Sequence, residues 1–256
     1  AMNGIPKQIT VSMALSNRFS VEAIEELYEG MKLACADFNV DLVDGDTSSS
    51  RSGLLLSVSV FGRVAKDKIT YRHTAKPNDL LCVTGDLGGA YLGLQLLERE
   101  KQVFLANPDM QPELEGMDYV IQRQLRPEAR MDVVYELAEA GVIPTSMIDL
   151  SDGLASDLLH ICAQSGVGAL IFEDKIPVDE QTYLAATELK LNPITAALNG
   201  GEDYELLFTV PQADYDKIKN NPKITIVGYI TDQKAEVLLH TNGDQRIPLT
   251  AQGWNV

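Results

Sequence analysis

Lysine and arginine are scarce: 21 stand against 37 aspartates and glutamates, a net charge of −16 over 256 residues. A field of that sign repels nucleic acid. No basic stretch interleaved with aromatics offsets it, so nucleic acid is excluded as a partner. Cysteine is limited to Cys35, Cys82 and Cys162, and histidine to His73, His160 and His240. Odd, distant thiols in apolar surroundings predict reduced core residues of a cytoplasmic protein, not a disulfide framework. No two histidines stand at metal-ligand spacing, which argues against zinc. No run reaches the roughly 18 consecutive apolar residues of a membrane span, and no signal peptide is read at the start. There is no G-x-x-x-x-G-K-[ST] stretch, hence no P-loop, and neither G-x-S-x-G nor G-x-G-x-x-G occurs, which weakens hydrolase and dinucleotide readings.

The 45% hydrophobic and 23% charged residues suit a globular protein of one large domain or two smaller ones. Alternation of Ile9, Val11 and Met13 predicts a strand over 8–15, and a helix over 21–38 follows, capped by Ser20. Strands are expected at 40–43 and 54–64. The Lys76-Pro77-Asn78-Asp79 turn then marks a change of organisation. Beyond it strands (80–84, 147–150, 169–172, 205–210, 225–229, 236–240) alternate with helices (87–100, 117–125, 128–140, 154–164, 179–189, 212–220). Pro127 is read as lying just inside its helix. This mixed order predicts an α+β fold, with α/β layers of helices packed on sheets.

Three acidic segments stand where apolar runs end: Asp44-Gly45-Asp46-Thr47, Asp149-Leu150-Ser151-Asp152-Gly153 and Gly200-Gly201-Glu202-Asp203-Tyr204. Carboxylates at such turns are costly unless solvated, hydrogen-bonded or metal-bound. Three sets suggest convergence on a hard cation, and thiol-free oxygen sites suit magnesium beside substrate phosphates. Asp149 and Asp152 are read as a metal-binding pair, although Asp152 is placed equally well to cap the following helix. Asp46 is read as a metal ligand, with Gly45 letting a phosphate approach the backbone. Asp44 suits a turn amide, and Glu202 and Asp203 are also readable as turn residues. The glycines of 85–89 suit a phosphate cradle at a helix start or a tight turn.

In order and spacing, these segments resemble the thiamine-monophosphate kinase family. The resemblance is carried by Tyr28-Glu29-Gly30, the 44–47 and 147–154 segments, Gly200-Gly201-Glu202-Asp203-Tyr204-Glu205-Leu206-Leu207-Phe208 and the closing Gly253-Trp254. The wider superfamily includes aminoimidazole ribonucleotide synthetase and selenophosphate synthetase, and its ATP-binding fold lacks a P-loop. The resemblance implies transfer of the ATP γ-phosphate to thiamine monophosphate, giving thiamine diphosphate. It places Tyr28, Gly45, Asp46, Arg72 and Ser151 on ATP. Asp46, Asp149 and Asp152 would hold several magnesium ions, and Glu202 and Trp254 would face the acceptor. Direct in-line transfer needs no nucleophilic side chain, so none is assigned. The resemblance further implies an amino-terminal ATP-binding domain over 1–73, a carboxy-terminal α/β domain over 74–256, and a homodimer. The family pattern opens with a Gly-Asp-Asp-Ala segment upstream of the point where this chain aligns. There Ala1-Met2-Asn3-Gly4 reads as a helix end capped by Gly4. The competing readings are another ATP-using member of the superfamily and a non-catalytic nucleotide- or metal-binding fragment. The 200–208 segment and Trp254 favour the kinase.

Overall fold

The computed structural model describes residues 1–234 and 236–251; Trp254 lies outside them. The chain forms two compact units, Asn3–Ile69 and the chain from Thr70, which also takes in Ala1–Met2.

In the smaller unit β1 (Ile5–Leu15) is the central strand of the order β2-β1-β3. Its alternation buries Val11 and Met13. Helix α1 (Val21–Phe38) starts where Ser20 accepts from the Ala23 amide, and it ends at Asn39 in the left-handed conformation. It returns the chain so that β2 (Asp41–Ser49) runs parallel to β1; β3 (Leu54–Arg63) is antiparallel to it. Two expectations change here. The first acidic segment is no turn: Asp44, Gly45 and Asp46 lie within β2, opposite Thr10, Val11 and Ser12, because ladder pairing with β1 outweighs local turn propensity. The left-handed residue near the start is Asn3, at φ 62, not Gly4.

In the larger unit, among the described residues, seven strands form one sheet in the order β10-β9-β6-β8-β4-β7-β5. They are β4 (Leu80–Thr84), β5 (Ser146–Asp149), β6 (Gly168–Phe172), β7 (Leu206–Val210), β8 (Ile224–Thr231), β9 (Val237–His240) and β10 (Arg246–Pro248). Among these described strands of the larger unit, only β6 and β9 pair in parallel. The core joins Leu81, Val83, Leu207, Val227 and Ile171 of the sheet to Leu154, Leu158 and Ile161 of α5 (Leu154–Ser165). A second cluster packs α2 (Gly89–Ala106), α3 (Asp118–Leu125) and α6 (Glu180–Leu189) through Leu92, Leu96, Val120, Ala185 and Ala186. Helix α4 (Met131–Glu139) begins after Pro127, which therefore stands outside it. Helix α7 (Pro193–Asn199) and β10 were not expected. The anticipated 212–220 helix is a 3-10 turn followed by α8 (Tyr215–Ile218). Cys82 and Cys162 are buried free thiols, their pKa values raised by burial, whereas Cys35 is only half-buried.

Candidate active site

Strand β5 pairs antiparallel with β7, Asp149 standing opposite Leu206. The pairing continues past the ladder. The Leu150 amide donates to the Glu205 carbonyl (2.7 Å), Tyr204 N–H to Leu150 (2.9 Å) and Glu202 N–H to Ser151 (2.9 Å). Two acidic segments distant in sequence are thereby fastened side by side. Gly201 makes the approach possible: at φ +70, a Cβ there would lie 2.5 Å from the Ser151 carbonyl oxygen. Asp149 is half-buried, while Asp152 and Glu202 are exposed at this end of the sheet. Tyr204 donates its hydroxyl to Glu202 Oε2 at 2.8 Å. Its pKa is pushed up to about 12, first by that bond, then by burial and by the charges of Glu202, Asp149 and Asp152.

Asp152 does not cap α5; Gly153 takes that position without a side-chain cap. Asp157, in the first turn of α5, reaches back instead and accepts from the amides of Ser151 (3.1 Å) and Asp152 (3.2 Å). Burial pushes its pKa up to about 7 against those hydrogen bonds, and the nearby charges of Asp152 and Asp149 add to the rise. Sequence reasoning missed Asp157, although an acidic residue four positions after Gly153 was the available signal.

The third segment divides by burial. Asp203 accepts from Gly88 N–H (2.8 Å) and Ala90 N–H (3.3 Å), so a carboxylate of this chain already occupies the start of α2. That overturns the phosphate-cradle reading of 85–89 in favour of the tight turn. Glu205, 1% exposed, lies 3.0 Å from Arg123 Nη1 and 3.5 Å from Arg130 Nη1, and accepts from the Thr84 hydroxyl. Arg123 also donates to the carbonyls of Asp86 and Asp203, at 3.1 and 3.3 Å. A buried charge so thoroughly paired anchors the turn.

Arg72 is exposed, in a segment beside β5: Ser146 Oγ donates to its carbonyl at 2.9 Å. It lines a cavity of about 300 Å³ with Tyr71, His73, Met147, Ile148 and Gln164. Tyr28, half-buried on α1, and Gly45 and Asp46 of β2 belong to the other unit. There a Cβ on Gly45 would stand 3.0 Å from the Val11 carbonyl oxygen, and Asp46 Oδ2 accepts from Ser48 Oγ at 3.3 Å. Asp44 accepts from the Gly45 amide at 2.8 Å, as a local satisfier of backbone. Among the described residues no three histidine, cysteine, aspartate or glutamate side chains group as a metal centre. The Asp149/Asp152 pair offers the donor type that magnesium takes. Both are oxygen donors at one end of the sheet, and magnesium takes one or two carboxylates with substrate phosphates completing its shell.

Residues 1–64 match the AIR synthase related protein N-terminal domain and residues 76–240 its C-terminal domain. Thiamine-monophosphate kinase of Bacillus subtilis (strain 168) is 35% identical, with 100% of this chain aligned to 76% of that protein. The namesake of Aquifex aeolicus (strain VF5) is 34% identical over 83% of this chain and 64% of its own length. The solved structure of AaThiL complexed with AMPPCP and TMP superposes with a TM-score of 0.82 at 31% identity, over 99% of this chain and 74% of that one. The hydrogenase maturation protein HypE of E. coli shares the fold alone, at 17% identity and a TM-score of 0.77. With its sheet order, its paired acidic segments and these likenesses together, the chain belongs to the thiamine-monophosphate kinase family of AIR synthase related proteins.

Proposed function

We propose that this protein transfers the γ-phosphate of ATP directly to the phosphate of thiamine monophosphate, yielding thiamine diphosphate. The observation that carries this reading is the fastening of 149–152 to 202–205. It sets Asp149 and Asp152 beside a second acidic turn that is separately anchored through Asp203 and Glu205. In-line transfer between two polyanions depends on positioning and charge neutralisation, not on a covalent nucleophile. The acceptor phosphate is ionised near neutral pH, so no general base is assigned and no phospho-enzyme forms. Asp149 and Asp152 are the residues that would hold Mg²⁺, which when bound supplies charge neutralisation between the phosphates, and the family resemblance assigns Asp46 the same role. Ser151, Arg72, Tyr28 and Gly45 bind ATP. Glu202 holds the acceptor, and Trp254, outside the described residues, is assigned beside its heterocycles. Domains over 1–73 and 74–256 and a cytoplasmic homodimer belong to the same proposal. The exposed apolar residues of β3 support the dimer and the unpaired thiols support the compartment. A coupled ADP-release assay comparing thiamine monophosphate with other phosphate acceptors tests the reading. Strict preference for a different acceptor overturns it.

A further inference from the structure

Along 202–205 the side chains alternate between solvent and interior: Glu202 and Tyr204 are exposed, whereas Asp203 and Glu205 are buried. Glu202 and Tyr204 both adopt left-handed backbone, at φ 62 and φ 52. Side chains with a Cβ persist there only when their surroundings over-determine the conformation. Here the amides of both residues are held by the 150–151 carbonyls, and Asp203 between them is pinned to the start of α2. The turn therefore holds two exposed side chains two positions apart in one fixed arrangement. Tyr204 uses it to donate a hydrogen bond of 2.8 Å to Glu202 Oε2. At 37% exposure its hydroxyl would otherwise be satisfied by water, so the bond is not a remedy for a buried polar group. It joins a charged acceptor to a donor that stays protonated at neutral pH, which places it among the stronger hydrogen bonds.

We propose that Tyr204 is a positioning residue for the acceptor: by clamping the Glu202 carboxylate it leaves Oε1 aimed in a single orientation for the cationic heterocyclic phosphate. This rests on the acceptor-side reading of Glu202. Tyr204→Phe removes the hydroxyl and keeps the ring, at an exposed position where folding tolerates the change. In calorimetric titrations of the full-length protein it should weaken thiamine monophosphate binding by about 10-fold, the scale of one hydrogen bond to a charged group. Binding of AMPPCP with magnesium should stay within about twofold. The double variant Tyr204→Phe/Glu202→Ala should bind thiamine monophosphate no more weakly than Glu202→Ala alone, because alanine leaves the hydroxyl no acceptor to clamp. Unchanged acceptor affinity in Tyr204→Phe, equal weakening of both ligands, or additive losses in the double variant would each overturn the proposal. If Glu202→Ala weakens acceptor binding while Tyr204→Phe does not, only the clamp fails. If Glu202→Ala also binds normally, the acceptor-side reading of Glu202 fails with it.

Discussion

At the residue scale, the acidic side chains of this site divide by their partners. Asp203 and Glu205 are consumed by backbone amides and arginines, and Asp157 by the 151–152 amides. Asp149 and Asp152 carry no such obligation within the described residues. Asp149→Asn retains the shape and removes the charge. Turnover should fall by roughly 10²-fold or more while the unfolding midpoint stays within a few degrees; normal turnover would take Asp149 out of the proposed metal set. Asp203 has a different consequence. Burial pushes its pKa up to about 7 in the folded chain, against about 3.9 for an ordinary aspartate. The folded state thus binds the extra proton between those values, and this contribution to stability falls as pH rises from about 4 to about 7. Asp157 acts with the same sign. Thermal unfolding across pH 5 to 8 should show a declining midpoint, flattened in Asp203→Asn, which keeps an acceptor oxygen. Identical profiles in the two proteins would exclude Asp203 as the source.

At the element scale, the end of β5 and the start of β7 were legible because their apolar runs border the second and third acidic segments, whereas β2 runs through the first. Helix α1 was legible to the residue because Ser20, the apolar period and Asn39 agree on its limits. Agreement was absent elsewhere. Helix α2 begins at Gly89, later than expected, because its start is organised by Asp203 far along the chain. Helix α7 carried a local signal, Asn192 capping with Pro193 next to it, but is only seven residues long. Strand β10 exists through its pairing with β9. The close crossing of α2 and α3 gives an element-scale test. A Cβ on Gly93 would lie 2.0 Å from the Val120 carbonyl oxygen, so no side chain fits without separating the helices. Gly93→Ala should cost about 1–3 kcal/mol of stability, read from the midpoint of a urea titration at unchanged slope. A variant as stable as the parent would mean that the two helices part freely.

At the scale of the whole molecule, the smaller unit leaves apolar surface uncovered. Along one face of β3, Leu54, Leu56, Val58 and Val60 are 40%, 41%, 54% and 60% exposed. A contiguous apolar strand face of this kind suits the proposed homodimer, with a second copy of the chain as its occupant. Light scattering of the purified protein should give twice the chain mass. Val58→Lys, already exposed and therefore tolerated by the fold, should shift it to the monomer. A parent protein that is monomeric at micromolar concentration would overturn the dimer.

What the sequence determined by itself is what short-range chemistry encodes: strand and helix periods, the layered α+β class, the reduced thiols, and the acidic segments that carry the family resemblance. Tertiary structure alone decided which acids are available. Asp203 and Glu205 are indistinguishable in sequence from Glu202, yet long-range contacts with α2, Arg123 and Arg130 bury the first two and leave the third exposed. Asp152 does not cap α5: Gly153 holds that position, and Asp157 reaches back to the Ser151 and Asp152 amides. The reason is physical: the cost of a carboxylate depends on the solvent and donors around it, and those are supplied by residues distant in the chain.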